Sequence, residues 1–316
     1  MTFYSKRLLP SIGVRLLIII LFICPISSAF GQESIELFQL YGQFSPNVEF
    51  EEGTGQSDVN EFGVRFRRPF KIGEKSYLVP GIFMEQLDSR LSSEHSKNTF
   101  VYTISPRIGL QTKHSEKWSG SYLLIPRISS DLSGFDSDDL QLGGLFLLNY
   151  TKSSNKKYQV GAYYNTELFG PVILPLFGFY YISENKKFEA DVLAPVAMDI
   201  NYELSTKVKV GISFWAKGST FNLHDYGEDE GSYYLEKRSA DLFSYVDYSF
   251  SKGWAMQVML GQSFSRIYEV YAGGDKVDLA IGPIKVDDDR MLLNIDLKDS
   301  ILLKFKLIYR ISLTKT

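Results

Sequence analysis

The sequence is poor in the residues on which disulfide-stabilised and metal-binding proteins depend. Its 316 residues include one cysteine and three histidines, which excludes a disulfide framework and argues against a cysteine- or histidine-rich metal centre. Neither sign of charge dominates, with 34 Lys and Arg against 37 Asp and Glu. The chain therefore lacks the basic balance of a general nucleic-acid binder. We expect no cofactor, no metal and no nucleic-acid partner.

Long apolar runs are scarce as well. Residues 16–24 form an unbroken apolar run, but it is shorter than the roughly 20 residues that a membrane-spanning helix needs. The run follows a basic N-terminal segment and precedes a small-residue segment ending at Gly31, which is the arrangement of a secretory signal peptide. We expect residues 1–31 to be removed by cleavage between Gly31 and Gln32. Residues 32–316 then remain as one domain.

Through the rest of the sequence, apolar and polar residues alternate in many segments with a period of two. Near the C-terminus, Leu303, Phe305 and Leu307 alternate with Lys304 and Lys306, which predicts a strand with one apolar and one polar face. The apolar face of such segments is rich in large aromatic residues, and the polar face carries Gly, Ser, Asn, Gln and charged residues. This pattern is typical of membrane barrels that face lipid outwards and the lumen inwards.

The predicted turns show a second regularity. Short lysine-bearing turns, mostly followed by an aromatic residue, lie at residues 73–77, 115–118, 155–158, 185–188, 205–207 and 251–254. Longer polar connections lie between them, at residues 51–60, 88–98, 130–138, 222–231 and 273–289. Short turns at one end and long loops at the other are typical of outer-membrane barrels. A soluble β-meander with polar turns is the alternative.

The predicted fold class is all-β, an antiparallel up-and-down transmembrane β-barrel of about fourteen strands, with twelve as the alternative. The predicted strands are residues 35–49, 58–70, 75–87, 98–113, 117–131, 138–152, 156–168, 172–184, 186–195, 197–204, 206–219, 233–250, 253–271 and 298–313. The region 277–297 is either a loop or an added hairpin. We expect the chain to lie in the outer membrane of a Gram-negative bacterium, with outer-membrane lipids and the barrel-assembly machinery as partners.

Several short motifs occur in a recognisable order. Pro-Leu-Phe-Gly at 175–178 precedes Asn-Lys-Lys at 185–187, followed by Leu-Ala-Pro at 193–195, Tyr-Glu-Leu-Ser at 202–205, Gly261 and Tyr309-Arg310. In this order, residues 35–313 resemble an uncharacterised outer-membrane β-barrel family of Bacteroidota and relatives, described as a domain of unknown function. The resemblance implies the fold and the location. It implies no catalytic or substrate-binding residue.

The inward face of the predicted barrel carries most of the candidate functional residues. Alternation assigns these charged side chains to the lumen: Arg65, Arg67, Arg107, Arg127, Lys207, Lys209, Lys217, Lys304, Lys306, Arg310, Glu85, Glu167, Asp241, Asp247 and Glu269. Charges in a dry interior must be paired or hydrated. One interpretation is a structural or interaction barrel whose lumen is filled by salt bridges. The other is a narrow pore for small solutes, in which the basic excess favours small anions.

An outer-membrane hydrolase is the alternative function. Such an enzyme needs a histidine beside a nucleophile and an acid at the external rim, and the candidates are His95 with Ser92 and Ser93, and His224 with Asp225. No nucleophile motif surrounds either histidine, so we expect no enzymatic activity. The acidic clusters of the long loops are expected to be solvated rather than to bind Ca²⁺.

Overall fold

The computed structural model of the protein describes residues 34–312 except residues 54, 93–96 and 228–230. The predicted signal peptide, its cleavage site at Gly31 and Gln32, and the candidate histidine His95 lie outside the described residues. In the described part of the chain, no helix is long and apolar enough to cross a membrane.

Strands dominate the described residues. They are β1 (Ser34–Glu49), β2 (Gln56–Arg67), β3 (Phe70–Lys71), β4 (Ser76–Ser89), β5 (Thr99–Lys113), β6 (Trp118–Ser130), β7 (Leu140–Ser153), β8 (Lys156–Glu167), β9 (Gly170–Ile182), β10 (Phe188–Ala194), β11 (Ala197–Ser205), β12 (Val208–Leu223), β13 (Tyr233–Ser251), β14 (Trp254–Ala272), β15 (Leu279–Ile281), β16 (Ile284–Val286) and β17 (Ile301–Ser312). A single 3₁₀ turn, Ser137–Asp139, precedes β7.

Fourteen of these strands close into one antiparallel barrel. Each wall strand pairs with its neighbour in the chain, β14 pairs with β17, and β17 pairs with β1 from Ser34↔Ser312 to Phe44↔Leu303. Closure leaves no continuous free sheet edge. The predicted barrel of fourteen strands is confirmed, and the region 277–297 contains the small added hairpin β15–β16.

The two ends of the barrel differ as the turn pattern predicts. The short turns and both described chain ends, Ser34 and Ser312, lie at one end, which we call the short-turn end. The long connections lie at the opposite, long-loop end, where residues 168–169 and 195–196 are the exceptions because they form tight turns.

The outer face of the wall is an apolar belt. Large side chains on alternate positions are exposed there, among them Phe62, Ile108, Leu124, Phe177 and Phe305. Tryptophans and tyrosines pair on the outer face near the short-turn end, as in Trp118–Tyr150 and Trp254–Tyr309. Phe305 is exposed while Lys304 is buried, so the alternation of β17 has the predicted sidedness.

The barrel wall is short along the barrel axis at β10 and β11. These strands have seven and nine residues, and β10 pairs with β9 only from Phe177 to Ile182. The exposed edge of β9 beyond this point is partly covered by β15, which pairs in parallel at Ala280↔Val172 and Ile281↔Ile173. The hairpin β15–β16 thus completes the wall on the long-loop side of the short strands β10 and β11.

The C-terminal part of β12 remains paired with β13 but leaves β11 and crosses towards β6. Beyond Trp215, β12 has no partner in β11, and Asn222 instead forms a parallel bridge with Ser130. The Ser129 hydroxyl donates to the Thr220 carbonyl oxygen at 2.7 Å. This crossing places residues 220–223 over the lumen at the long-loop end.

Candidate functional site: the lumen of the barrel

An apolar cluster closes the lumen at the long-loop end. Inward-facing residues of β1, β2, β4, β5, β12, β13 and β14 form it together with the long connections: Val48, Phe50, Val59, Leu87, Leu91, Val101, Phe221, Leu223, Leu235, Tyr268, Val270 and Leu297. All are nearly inaccessible to solvent. The inward crossing of β12 is what brings Phe221 and Leu223 into this cluster.

A buried ionic network lies directly next to the apolar cluster, on its side nearer the short-turn end. Glu61 contacts Lys237 at 2.9 Å and Lys217 at 3.2 Å, and Glu85 lies 3.7 Å and 3.8 Å from the same two amines. Glu61 and Lys237 are 2% and 3% exposed. Such charges are tolerated in an interior because they neutralise one another.

A tyrosine packed against a glycine completes this network. The Tyr41 hydroxyl donates to Glu85, and the hydroxyl-bearing edge of the Tyr41 ring packs against Gly63. A Cβ at Gly63 would meet the ring at 2.4–2.5 Å, so only glycine permits this position. Lys304 lies 4.4 Å from the centre of the Tyr41 ring and donates to Gln43 at 3.0 Å.

A second paired group ties the crossing strand to the opposite wall. Arg127 contacts Glu167 at 2.6 Å and donates to Gln141 at 2.7 Å. The backbone N–H and the hydroxyl of Thr220 donate to the same Glu167 carboxylate at 2.9 and 2.7 Å. Arg127 is therefore neutralised and immobilised.

A basic patch without an acidic partner faces the lumen nearer the short turns. Arg65 and Arg107 lie 5.6 and 4.6 Å from the centre of the Phe83 ring. Within the described chain, neither arginine forms an ion pair, and their Nε atoms are buried without a hydrogen-bond partner. We call Arg65, Phe83 and Arg107 the arginine–phenylalanine patch.

Around this patch the lining is polar and partly open. Gln111 and Arg67 are exposed, while Lys306, Asn149 and Gln159 are half-buried. At the rim, Arg310 contacts Asp247 at 2.7 Å and Glu36 at 3.1 Å. Solvent therefore reaches the arginine–phenylalanine patch from the short-turn end.

The other predicted lumen charges are distributed unevenly. Asp241 is buried beside the ionic network, and Lys209 is half-buried in register with Asp247. Lys207 is exposed in the turn before β12. Two network members, Glu61 and Lys237, were missed, although Glu61 lies four residues from Arg65 and so shares its face.

The assignment of Glu269 to the lumen was wrong. β14 contains a bulge in which two residues, Ser265 and Arg266, lie opposite the single residue Ser239 of β13. The bulge reverses the alternation, so Tyr268 and Val270 point into the lumen. Glu269 lies on the other face, where it accepts a hydrogen bond from Tyr271 at 2.6 Å.

The loop histidine candidate has acidic neighbours. His224 lies 3.0 Å from Asp139, whereas Asp225 pairs with Lys97 at 2.7 Å. Among the described residues, no serine hydroxyl is hydrogen-bonded to His224. The predicted pairing of His224 with Asp225 is therefore not formed.

The fold and the lumen define a closed fourteen-stranded β-barrel with an apolar outer belt and a charged interior. The chain belongs to the family described as Domain of unknown function (DUF6268), whose profile matches residues 105–273, more than half of the chain. A search of the curated proteins finds no match.

Among solved structures, the chain is similar to an outer membrane channel from Pseudomonas putida F1, with 6% identity and a TM-score of 0.46 over 90% of this chain and 97% of that chain. It is also similar to a mutant of the TodX monoaromatic hydrocarbon channel, with 11% identity and a TM-score of 0.41 over 90% and 91%. The similarity to the NanC porin has 7% identity and a TM-score of 0.37 over 86% and 98%.

Proposed function

We propose that the protein is an outer-membrane β-barrel whose lumen binds small anions and passes them through a pore that is closed in this conformation. The observation that carries the proposal is the arginine–phenylalanine patch. Two guanidinium groups face a solvent-accessible lumen with no carboxylate beside them in the described structure. Such a pair attracts anions and repels cations.

The apolar belt supports the membrane location. A water-exposed belt of large apolar side chains around the whole wall would promote aggregation, whereas the same belt is compatible with lipid. Export by the signal peptide ending at Gly31 and insertion by the barrel-assembly machinery belong to the same proposal. The motif order at 175–205 supports assignment to an outer-membrane family of Bacteroidota.

The closed long-loop end explains why we propose a gated pore. The apolar cluster and the ionic network fill the lumen there, so passage requires movement of the β12 crossing. Because Arg127 is neutralised by Glu167, it contributes little to the electric field in the half of the lumen nearer the short-turn end. Arg65 and Arg107 therefore set the anion preference.

Planar-bilayer recordings of the refolded full chain test this function. We expect the reversal potential in a KCl gradient to show chloride preference. Arg65→Gln combined with Arg107→Gln should move the selectivity towards unity. Lys117→Gln combined with Lys252→Gln removes the same charge from exposed turns at the same end and should leave the preference intact.

A structural barrel is the second candidate, favoured by the buried ionic network. If correctly folded protein shows no conductance over a wide voltage range, the pore is excluded and the structural function is adopted. Cation preference in the wild type would instead show that the arginine–phenylalanine patch does not control the lumen field.

A further inference from the structure

Four side chains with metal-ligand chemistry converge at the long-loop end of the barrel. Asp136 and Asp139 belong to the connection between β6 and β7, while Asn222 and His224 lie at the end of β12. One ligand atom from each of Asp136, Asp139 and His224 lies within 4.8 Å of the others. Chain segments about 85 residues apart are joined here.

The spacing of these groups is that of ligands around one small ion. His224 Nε2 lies 3.0 Å from Asp139 Oδ1. The Asn222 amide nitrogen lies 3.1 Å from Asp136 Oδ1, 3.1 Å from Asp139 Oδ1 and 3.3 Å from His224 Nε2. Ligands bound at about 2.0 Å in a tetrahedron are about 3.3 Å apart. A flip of the amide would present the Asn222 oxygen at the same position.

Hydrogen bonds satisfy the polar atoms of the cluster but bring no positive charge from Lys or Arg. The Asn222 amide donates to both carboxylates, which also accept the backbone N–H groups of Asp136 and Asp138 at 2.8 Å, and all of these donors are neutral. Asp139 is fully buried, and in the described chain neither Asp136 nor Asp139 contacts a lysine or arginine. A buried carboxylate such as Asp139 requires a compensating positive charge, which a bound cation would supply.

We propose that Asp136, Asp139, Asn222 and His224 bind a divalent transition-metal ion, with Zn²⁺ as the best match. Imidazole with carboxylate ligands suits Zn²⁺, whereas Ca²⁺ takes about 6–8 oxygen ligands. The ion would fasten the β6–β7 connection to the end of β12. Because that end carries Phe221 and Leu223 into the apolar cluster, the ion stabilises the closed long-loop end.

Zinc titration of the chelator-treated, refolded full chain tests this site. We expect one equivalent of Zn²⁺ to bind and to raise the Tm, and Co²⁺ to give the absorption of a tetrahedral complex. His224→Gln should lose binding and both signals. His114→Gln removes an exposed histidine at the short-turn end and should retain them.

Asp139→Asn should also lose binding, and the fold of each variant is checked by heat-modifiable gel migration. If Asp139→Asn does not fold, His224→Gln decides the outcome. Absence of stoichiometric Zn²⁺ binding in the wild type, or unchanged binding in His224→Gln, would overturn the proposal and leave only the hydrogen-bonded contact between His224 and Asp139. The binding assay does not depend on conductance, so its outcome is independent of the proposed pore.

Discussion

The half of the lumen next to the long loops is filled by buried apolar and paired side chains, whereas the half next to the short turns is lined by half-buried, mostly basic ones. Leu87, Val101 and Leu235 are about 1% exposed in the first half. In the second half, Arg65 and Arg107 remain half-buried beside Phe83. The first half therefore supplies stability, and the second half is available for a ligand.

The two halves also differ in whether their charged side chains are paired with opposite charges. Glu61, Glu85, Lys217 and Lys237 neutralise one another, so the closed half presents little net field. The arginine–phenylalanine patch is not neutralised by any side chain in the described residues, and water must solvate it. The contribution of a basic residue to the electric field in this lumen therefore depends on whether it has an acidic partner.

The largest expected effect is the removal of one partner from the ionic network. Glu61→Gln removes the carboxylate that contacts both Lys217 and Lys237 and should destabilise the barrel by about 3–5 kcal/mol. Arg65→Gln, in the open half, removes no ion pair and should change stability much less. Urea unfolding in lipid vesicles, followed by tryptophan fluorescence, measures both. Equal losses for the two variants would contradict the distinction between the halves.

A smaller effect is expected in the apolar cluster. Leu235→Ala creates a cavity among fully buried side chains and should cost about 2–4 kcal/mol. Leu123→Ala, at a half-buried inward position of β6 in the open half, should cost less because water can fill the space. The same unfolding experiment compares them. A larger loss of stability for Leu123→Ala than for Leu235→Ala would contradict the assignment of the packed core to the long-loop end.

The smallest effect concerns pH at the long-loop end. Burial raises the pKa of Asp296 to about 6 from the ordinary value of 3.8, so the folded state retains a proton that the unfolded chain releases. This stabilisation is complete below pH 3.8 and is lost as the pH rises through about 6. Asp296→Asn remains neutral, so between pH 5 and pH 7 it should gain about 1 kcal/mol relative to the wild type. A Tm difference that does not change over this range would contradict the assignment.

The fold could be predicted because a wall with an apolar outer face and a polar inner face imposes a period of two along most of its strands. The sidedness of Phe305 and Lys306 follows from this period alone. The prediction failed at Glu269, because the one extra residue of the bulge at Ser265 and Arg266 reverses the alternation. Positions beyond such a bulge cannot be assigned by counting.

The partners of the lumen charges could not be predicted. Glu61 and Lys217 meet across the lumen although 156 residues separate them in the chain, and their contact depends on barrel closure and on the inward path of β12. For the same reason, Asp139 and His224 were not recognised as neighbours. Contacts of this kind depend on three-dimensional closure and leave no local pattern.

The low wall at β10 and β11 has a consequence for the hydrophobic thickness of the protein. The seven residues of β10 are fewer than the roughly 9–11 that a tilted strand needs to cross the hydrocarbon core. Ile281, Ile284 and Val286 of the hairpin expose apolar surface beside this gap and extend the belt there. In the proposed outer-membrane location, a bilayer would have to thin, or the barrel to tilt, where the belt falls short, at a cost of fractions of a kcal/mol per Å. In the proposed membrane location, the short side of the wall would therefore favour a tilt of the barrel towards that side.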